Sequence, residues 1–175
     1  MKKLFSTKES GYTMVELLVY ISVLAFMMLI IVSSLLGISK IYRQVRIVEL
    51  LHSNANTAME TIAREVRTAI SVDTAASTLD SANGVLKLNS RNISGNTKTV
   101  TFSLSSGRIQ MSENAVSLGP ITSANATIGE MYFEHIDNTV SEAIKYYVTV
   151  SVGSGDYART ETFYDTIVMK GSYEI

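Results

Sequence analysis

The sequence predicts an α+β protein. One long N-terminal helix, half membrane span and half amphipathic, packs on a C-terminal antiparallel β-sheet. Three observations predict this. Residues 17–36 are apolar and carry no charge. Residues 41–69 repeat apolar side chains every three or four positions. After residue 72 the texture changes to short alternating runs rich in β-branched and aromatic residues.

The first element reads LLVYISVLAFMMLIIVSSLL, with only Tyr20, Ser22, Ser33 and Ser34 as polar members. Twenty residues at a rise of about 1.5 Å span roughly 30 Å, the hydrocarbon thickness of a bilayer. A helix apolar on every face needs a large core around it or a membrane. A chain of 175 residues has no such core to offer. The run exceeds the roughly 7–15 apolar residues of a secretory signal, and residues 33–37 are a poor small-residue cleavage site. Lys2, Lys3 and Lys8 precede the span and Lys40, Arg43 and Arg46 follow it. The positive-inside rule is thus close to a tie.

The second element is the amphipathic stripe of Ile41, Val45, Val48, Leu51, Ala55, Met59, Ile62, Val66 and Ala69. Arg43, Arg46, Glu49, Asn56, Glu60, Arg64 and Arg67 lie opposite, with Glu60 and Arg64 spaced as an i,i+4 pair. No proline or glycine interrupts residues 38–70, so span and stripe read as one helix from about Thr13 to Ile70, roughly 85 Å long. Gly37, beside Ser33 and Ser34, is its one soft point. Residues 45–70 read as a cover for the chain's own sheet, and a coiled-coil partner is the alternative.

Residues 73–84, DTAASTLDSANG, read as a loop. Strands are expected at 85–89, 98–104, 108–112, 127–136, 144–152 and 160–169. The second and third form a hairpin around Ser105, Ser106 and Gly107, and 113–126 is a second surface loop. Six antiparallel strands with one dry face need a cover, which the amphipathic half-helix supplies.

Composition narrows the chemistry. There is no cysteine, so disulfides, thiolate metal sites and cysteine nucleophiles are excluded. The only histidines are His52 and His135. His135, with Glu134 and Asp137 near it, has the parts of a general base or half a metal site, but a solvated strand edge is the simpler reading. No GxSxG elbow is present, and Gly153-Ser154-Gly155-Asp156 reads as a turn, since no helix follows it. No clustered Asp/Asn loop suggests calcium. No catalytic residue, metal or cofactor is expected. Net charge is −1, and residues 71–175 hold seven basic against eleven acidic residues. Arg91, Lys98 and Arg108 are the only basic set that could gather, around one hairpin, so nucleic acid is not expected as a partner.

Glu16 borders the apolar run directly, with Met14 and Val15 before it. A carboxylate facing lipid costs a few kcal/mol and needs a partner, unless it lies hydrated in the headgroup zone. The stretch Lys8-Glu9-Ser10-Gly11-Tyr12-Thr13-Met14-Val15-Glu16-Leu17-Leu18-Val19 resembles the cleavage and methylation motif of type IV prepilins and pseudopilins. That motif has a basic leader, a glycine, an aromatic residue, a glutamate and then a long apolar run.

The resemblance implies a pilin-like fold and a prepilin peptidase/methyltransferase as partner. That enzyme would cut between Gly11 and Tyr12 and methylate the new amine of Tyr12. Glu16 would serve subunit assembly. The chain would be a structural subunit and no enzyme. It would be single-pass in the inner (cytoplasmic) membrane with its C-terminal domain outside the cytoplasm, then join other pilin or pseudopilin subunits in a pilus or pseudopilus. The implied domains are a leader 1–11, a membrane half-helix 12–37, an amphipathic half-helix 38–72 and a β-rich part 73–175. Tyr12 departs from the family's usual phenylalanine, and Ser33 stands where many members carry a helix-breaking proline. Ala63-Arg64-Glu65-Val66-Arg67-Thr68-Ala69 is similar to the helix end of W-type minor pilins and J-type pseudopilins. The choice between type IV pilus, type II secretion and competence pseudopilus stays open. So does a membrane-anchored exported binding module that keeps residues 1–11.

Cleavage has a physical consequence. Three of the fifteen basic residues and one of the sixteen acidic ones lie in residues 1–11, so the shortened chain carries twelve and fifteen. The new α-amine lies four residues from Glu16. In a helical array, one subunit's amine can meet another's carboxylate. That attraction is far stronger in an apolar filament interior than in water, and either charge alone there is costly.

Overall fold

The computed structural model describes residues 11–91, 95–138 and 141–170. They divide into two compact units, Met1–Arg43 and Gln44–Ile175. Helix α1 (Met14–Thr68) runs through both. Strands β1 (Ala69–Val72), β2 (Leu86–Arg91), β3 (Thr97–Ser105), β4 (Arg108–Glu113), β5 (Val116–Pro120), β6 (Ala126–Asn138), β7 (Ser141–Val152) and β8 (Arg159–Val168) all lie in the second unit.

In the first unit the apolar residues of α1 are exposed throughout. The most apolar 18-residue window has mean hydropathy 2.7 and none of it is buried, so the helix is long and apolar enough to cross a membrane. Its polar side chains begin to satisfy themselves within the helix: Ser22 Oγ donates to the Leu18 carbonyl at 2.8 Å. Gly37 is helical, and α1 continues past it.

The second unit has two antiparallel sheets, ordered β1-β2-β3-β4-β5 and β6-β7-β8. Alternation sets their faces. In β7, Ile144, Tyr146, Val148, Val150 and Val152 are buried and their neighbours are not. The inner faces of both sheets and one face of α1 join in a single core. The helix contributes Leu51, Ala55, Ala58, Ile62, Ala63 and Val66. Three alanines on this face let strands approach the helix closely. Polar ties fix the docking: Tyr146 Oη donates to the Met59 carbonyl at 3.0 Å, and Asn54 Oδ1 accepts from the Ser123 N–H at 2.7 Å. On the outer face of the smaller sheet, Tyr132, Tyr147 and Tyr164 stand in one cross-strand row with ring centroids 4.9 and 5.5 Å apart.

Most expected strands appear close to their places, but several expectations need correction. Among the described residues there are eight strands in two sheets, where six in one were expected. The helix stops at Thr68 and Ala69–Val72 is a strand. Thr68 Oγ1 turns back to the Arg64 and Glu65 carbonyls, and its own carbonyl accepts from Ser90 Oγ at 3.1 Å, which hands the chain to β2. Residues 113–126 are not all loop, because β5 lies within them. Val116 and Leu118 are exposed, so no alternation marked it. The upper end of the stripe does not cover the sheet: Ile41, Val45 and Val48 are exposed, and packing begins at Ile47 and Leu51. Arg64 pairs with the adjacent Glu65 (Nε to Oε1, 3.5 Å), not with Glu60.

The β3–β4 turn has two residues, Ser106 and Gly107, both left-handed at φ 51° and 68°. That is the twist-matched geometry of a tight hairpin. Gly153 is also left-handed at φ 90°, and a Cβ there would stand 2.9 Å from the Tyr157 carbonyl oxygen.

Candidate functional site

The start of α1 is built by its own sequence. Thr13 lies just outside the helix, and its carbonyl accepts the first helical bond, from the Leu17 N–H at 3.1 Å. Its Oγ1 accepts the Glu16 N–H at 3.3 Å. Thr13 is therefore the N-cap and Glu16 the third helical residue, where a carboxylate also favours the positive end of the helix dipole. Glu16 is half-buried among exposed apolar neighbours. The next charge along the chain is Lys40.

Tyr20, one turn on, donates its phenol to Glu16 Oε1 at 3.1 Å. The Tyr12 ring meets the Tyr20 ring edge-on, with centroids 6.0 Å apart and planes at 81°. Tyr12, Glu16 and Tyr20 thus share one helix face at four-residue steps. Gly11 is exposed, with no heavy atom within 4 Å of where a Cβ would stand. Lys2, Lys3, Lys8 and Glu9, in the expected leader, lie outside the described residues.

Tyr20 was not among the expected site residues. Its signal was present: a phenol four positions after a carboxylate, the spacing that puts both on one helix face.

The rival chemistries disperse. His135 Nε2 lies 3.1 Å from Glu142 on the adjacent strand, while Glu134 pairs with Lys145 at 2.9 Å. The rival set of His135, Glu134 and Asp137 is therefore not brought together. His52 stands 3.8 Å from Glu161 and edge-on to Phe163. Among the described residues no group of three metal-ligating side chains gathers. The basic set gathers only in part. Arg91 on β2 pairs with Thr97, one register step from Lys98 at the open end of the β3–β4 hairpin, whereas Arg108 is at its turn, seven positions or roughly 23 Å along the strands. Arg108 is bound to the Thr122 carbonyl at 2.9 Å.

Lys98 instead joins the helix end to the larger sheet. Its Nζ is 3.3 Å from Glu65 Oε2 and 3.4 Å from Glu113 Oε2. Burial by itself lowers the Lys98 pKa, but the two carboxylates outweigh it and raise the net value above the ordinary lysine range.

A bilayer-length apolar helix, a capped carboxylate at its start and antiparallel sheets behind it define an α+β protein of pilin-like architecture. Residues 6–32 match the family described as the prokaryotic N-terminal methylation motif, the type IV prepilin-like signal. No curated protein and no solved structure gives a significant match. Proteins with this motif are structural subunits. The signal together with the apolar helix is consistent with inner-membrane anchoring.

Proposed function

We propose that this chain is a structural subunit, a minor pilin or pseudopilin, of a type IV pilus or of a type II secretion or competence pseudopilus. It assembles after a prepilin peptidase removes residues 1–11 and Tyr12 is methylated. The observation that carries this reading is Glu16: one half-buried carboxylate at the head of a fully exposed, otherwise uncharged span, inside the match to the methylation motif. Such a charge is tolerated when it has a partner. The α-amine that cleavage creates on a neighbouring subunit supplies one of opposite sign. The exposed apolar span then packs against its copies as the filament interior. Residues 44–175 stay outside the cytoplasm as the filament's surface. The exposed Ile41, Val45 and Val48 continue the apolar stripe toward neighbouring helices.

The mature N-terminus tests this. In cells with a prepilin peptidase, intact-mass analysis should show loss of eleven residues and one methyl group added to Tyr12. Full-length chain in membranes that process other prepilins would refute the reading and leave a simple membrane-anchored module.

A further inference from the structure

We infer that Tyr20 is a positioning residue for Glu16, holding its carboxylate extended along the helix so that a neighbouring subunit's amine can reach it. This rests on the assembly reading above. The sequence Thr13-Met14-Val15-Glu16 has the T-x-x-E spacing of a capping box. In such a box the threonine hydroxyl accepts the glutamate N–H, and the glutamate side chain folds back onto the threonine N–H. Only the first half forms here: Glu16 N–H donates to Thr13 Oγ1 at 3.3 Å. The carboxylate instead turns toward Tyr20, whose Oη donates to Oε1 at 3.1 Å.

The choice between these two arrangements matters in an apolar surrounding. Either arrangement occupies one of the carboxylate's acceptor sites and leaves the others for an ammonium. The difference is direction: the capping-box bond would fold the carboxylate back onto its own Thr13 N–H, whereas the Tyr20 bond holds it one turn further along the helix face. A hydrogen bond to a charged acceptor is also among the stronger ones. Tyr12 completes the arrangement, since its ring rests edge-on against Tyr20 at 6.0 Å and limits where the phenol can swing. The phenol is the only side-chain donor that the described contacts bring to this carboxylate. Phenylalanine at position 20 would keep the ring contact and the hydrophobicity and remove the donor alone.

The test uses the full chain in a host that processes and assembles it. Four chains are compared: wild type, Tyr20→Phe, Glu16→Ala, and both changes together. The readout is the amount in sheared filaments divided by the amount in membranes, with leader removal checked by intact mass. Tyr20→Phe should be cleaved normally and should fall about tenfold in filaments, near the low end for a lost hydrogen bond to a charged group. Glu16→Ala should fall further, and adding Tyr20→Phe to it should change nothing more. Wild-type recovery of Tyr20→Phe while Glu16→Ala falls would overturn the role of Tyr20 and leave the assembly reading standing. An equal further loss in the Glu16→Ala background would also overturn it, because Tyr20 would then act through packing. Wild-type recovery of Glu16→Ala would overturn the assembly reading and this inference together.

Discussion

Replacing Lys98 by methionine should destabilise the β-rich unit by about 3 kcal/mol, and replacing its partner as well should restore most of that loss. Lys98 Nζ stands 3.3 Å from Glu65 and 3.4 Å from Glu113, with side chains 19%, 10% and 38% exposed. At an effective dielectric of about 20, one unit pair at 3.3 Å attracts by about 5 kcal/mol. Desolvation of Lys98 and Glu65 and the repulsion between the two carboxylates consume much of the gain. Methionine keeps the stem's packing and leaves Glu65 buried without its ammonium, with only the largely exposed Arg64 guanidinium 3.5 Å away. Breaking a buried pair in this way costs about 3–5 kcal/mol, and the exposure of Glu113 puts this case at the low end. Glu65→Leu alone should cost less, because Lys98 keeps Glu113. The double variant Lys98→Met/Glu65→Leu should lie within about 1 kcal/mol of wild type, since no uncompensated charge is left buried in the helix–sheet seam. The assay is urea unfolding of a chain beginning at Gln44. With an m-value of about 2 kcal/mol/M, the midpoint for Lys98→Met should fall by about 1.5 M. If the double variant is as unstable as the sum of the single ones, the three groups do not act as a unit and the argument fails.

Alkaline stability gives another test. Burial, followed by the Asp165 charge, pushes the Tyr146 phenol above its usual range, and Lys98 is raised too. Both groups hold their proton more tightly when folded. Their contributions are therefore complete below about pH 10, where the unfolded groups begin to titrate, and are lost as pH rises through the folded values. Tyr146→Phe should flatten the fall in Tm between about pH 10 and 11, and an unchanged slope would refute the assignment. A chain beginning at Gln44 should be soluble and give mixed helix and strand by circular dichroism, whereas one beginning at Asp73 should aggregate, because both sheets lose the helix that closes their core. Gly153→Ala should lower stability by about 2 kcal/mol, from its left-handed backbone and the clash with the Tyr157 carbonyl, as read by thermal melting.

The helix was legible because its signals are long and redundant. An uncharged run of bilayer length and a sustained helical period leave few alternatives, and the hairpin of β3 and β4 announced itself through Gly107. What sequence hid was set by tertiary context. Residues 69–72 fit the end of the helical stripe as well as a strand, and it is Ser90 on β2 that captures the Thr68 carbonyl. Strand β5 exposes Val116 and Leu118 alike, so its pairing to β4 left no alternation to read. The division into two sheets depends on which strands leave one sheet for the other, and no local pattern carries that. At the head of the helix, Gly11, Tyr12 and Glu16 were readable from their spacing. Tyr20 was missed because one more aromatic in an apolar span looks like any other until its hydroxyl is placed.

In both sheets every strand pairs with its neighbour in sequence, and this shapes how the chain acquires its structure. Each sheet can zip from its own turns with short loop closures, which are the fast steps of folding. The helix face is different, because Met59 waits for Tyr146, 87 positions later, and Asn54 waits for Ser123, 69 positions later. On the proposed reading, a chain delivered across a membrane from its N-terminal anchor presents Leu51, Ile62 and Val66 long before their cover exists. Docking of the last meander onto the helix is then the step that closes the core, and the interval before it is when the emerging chain is most open to proteases, chaperones and misassociation.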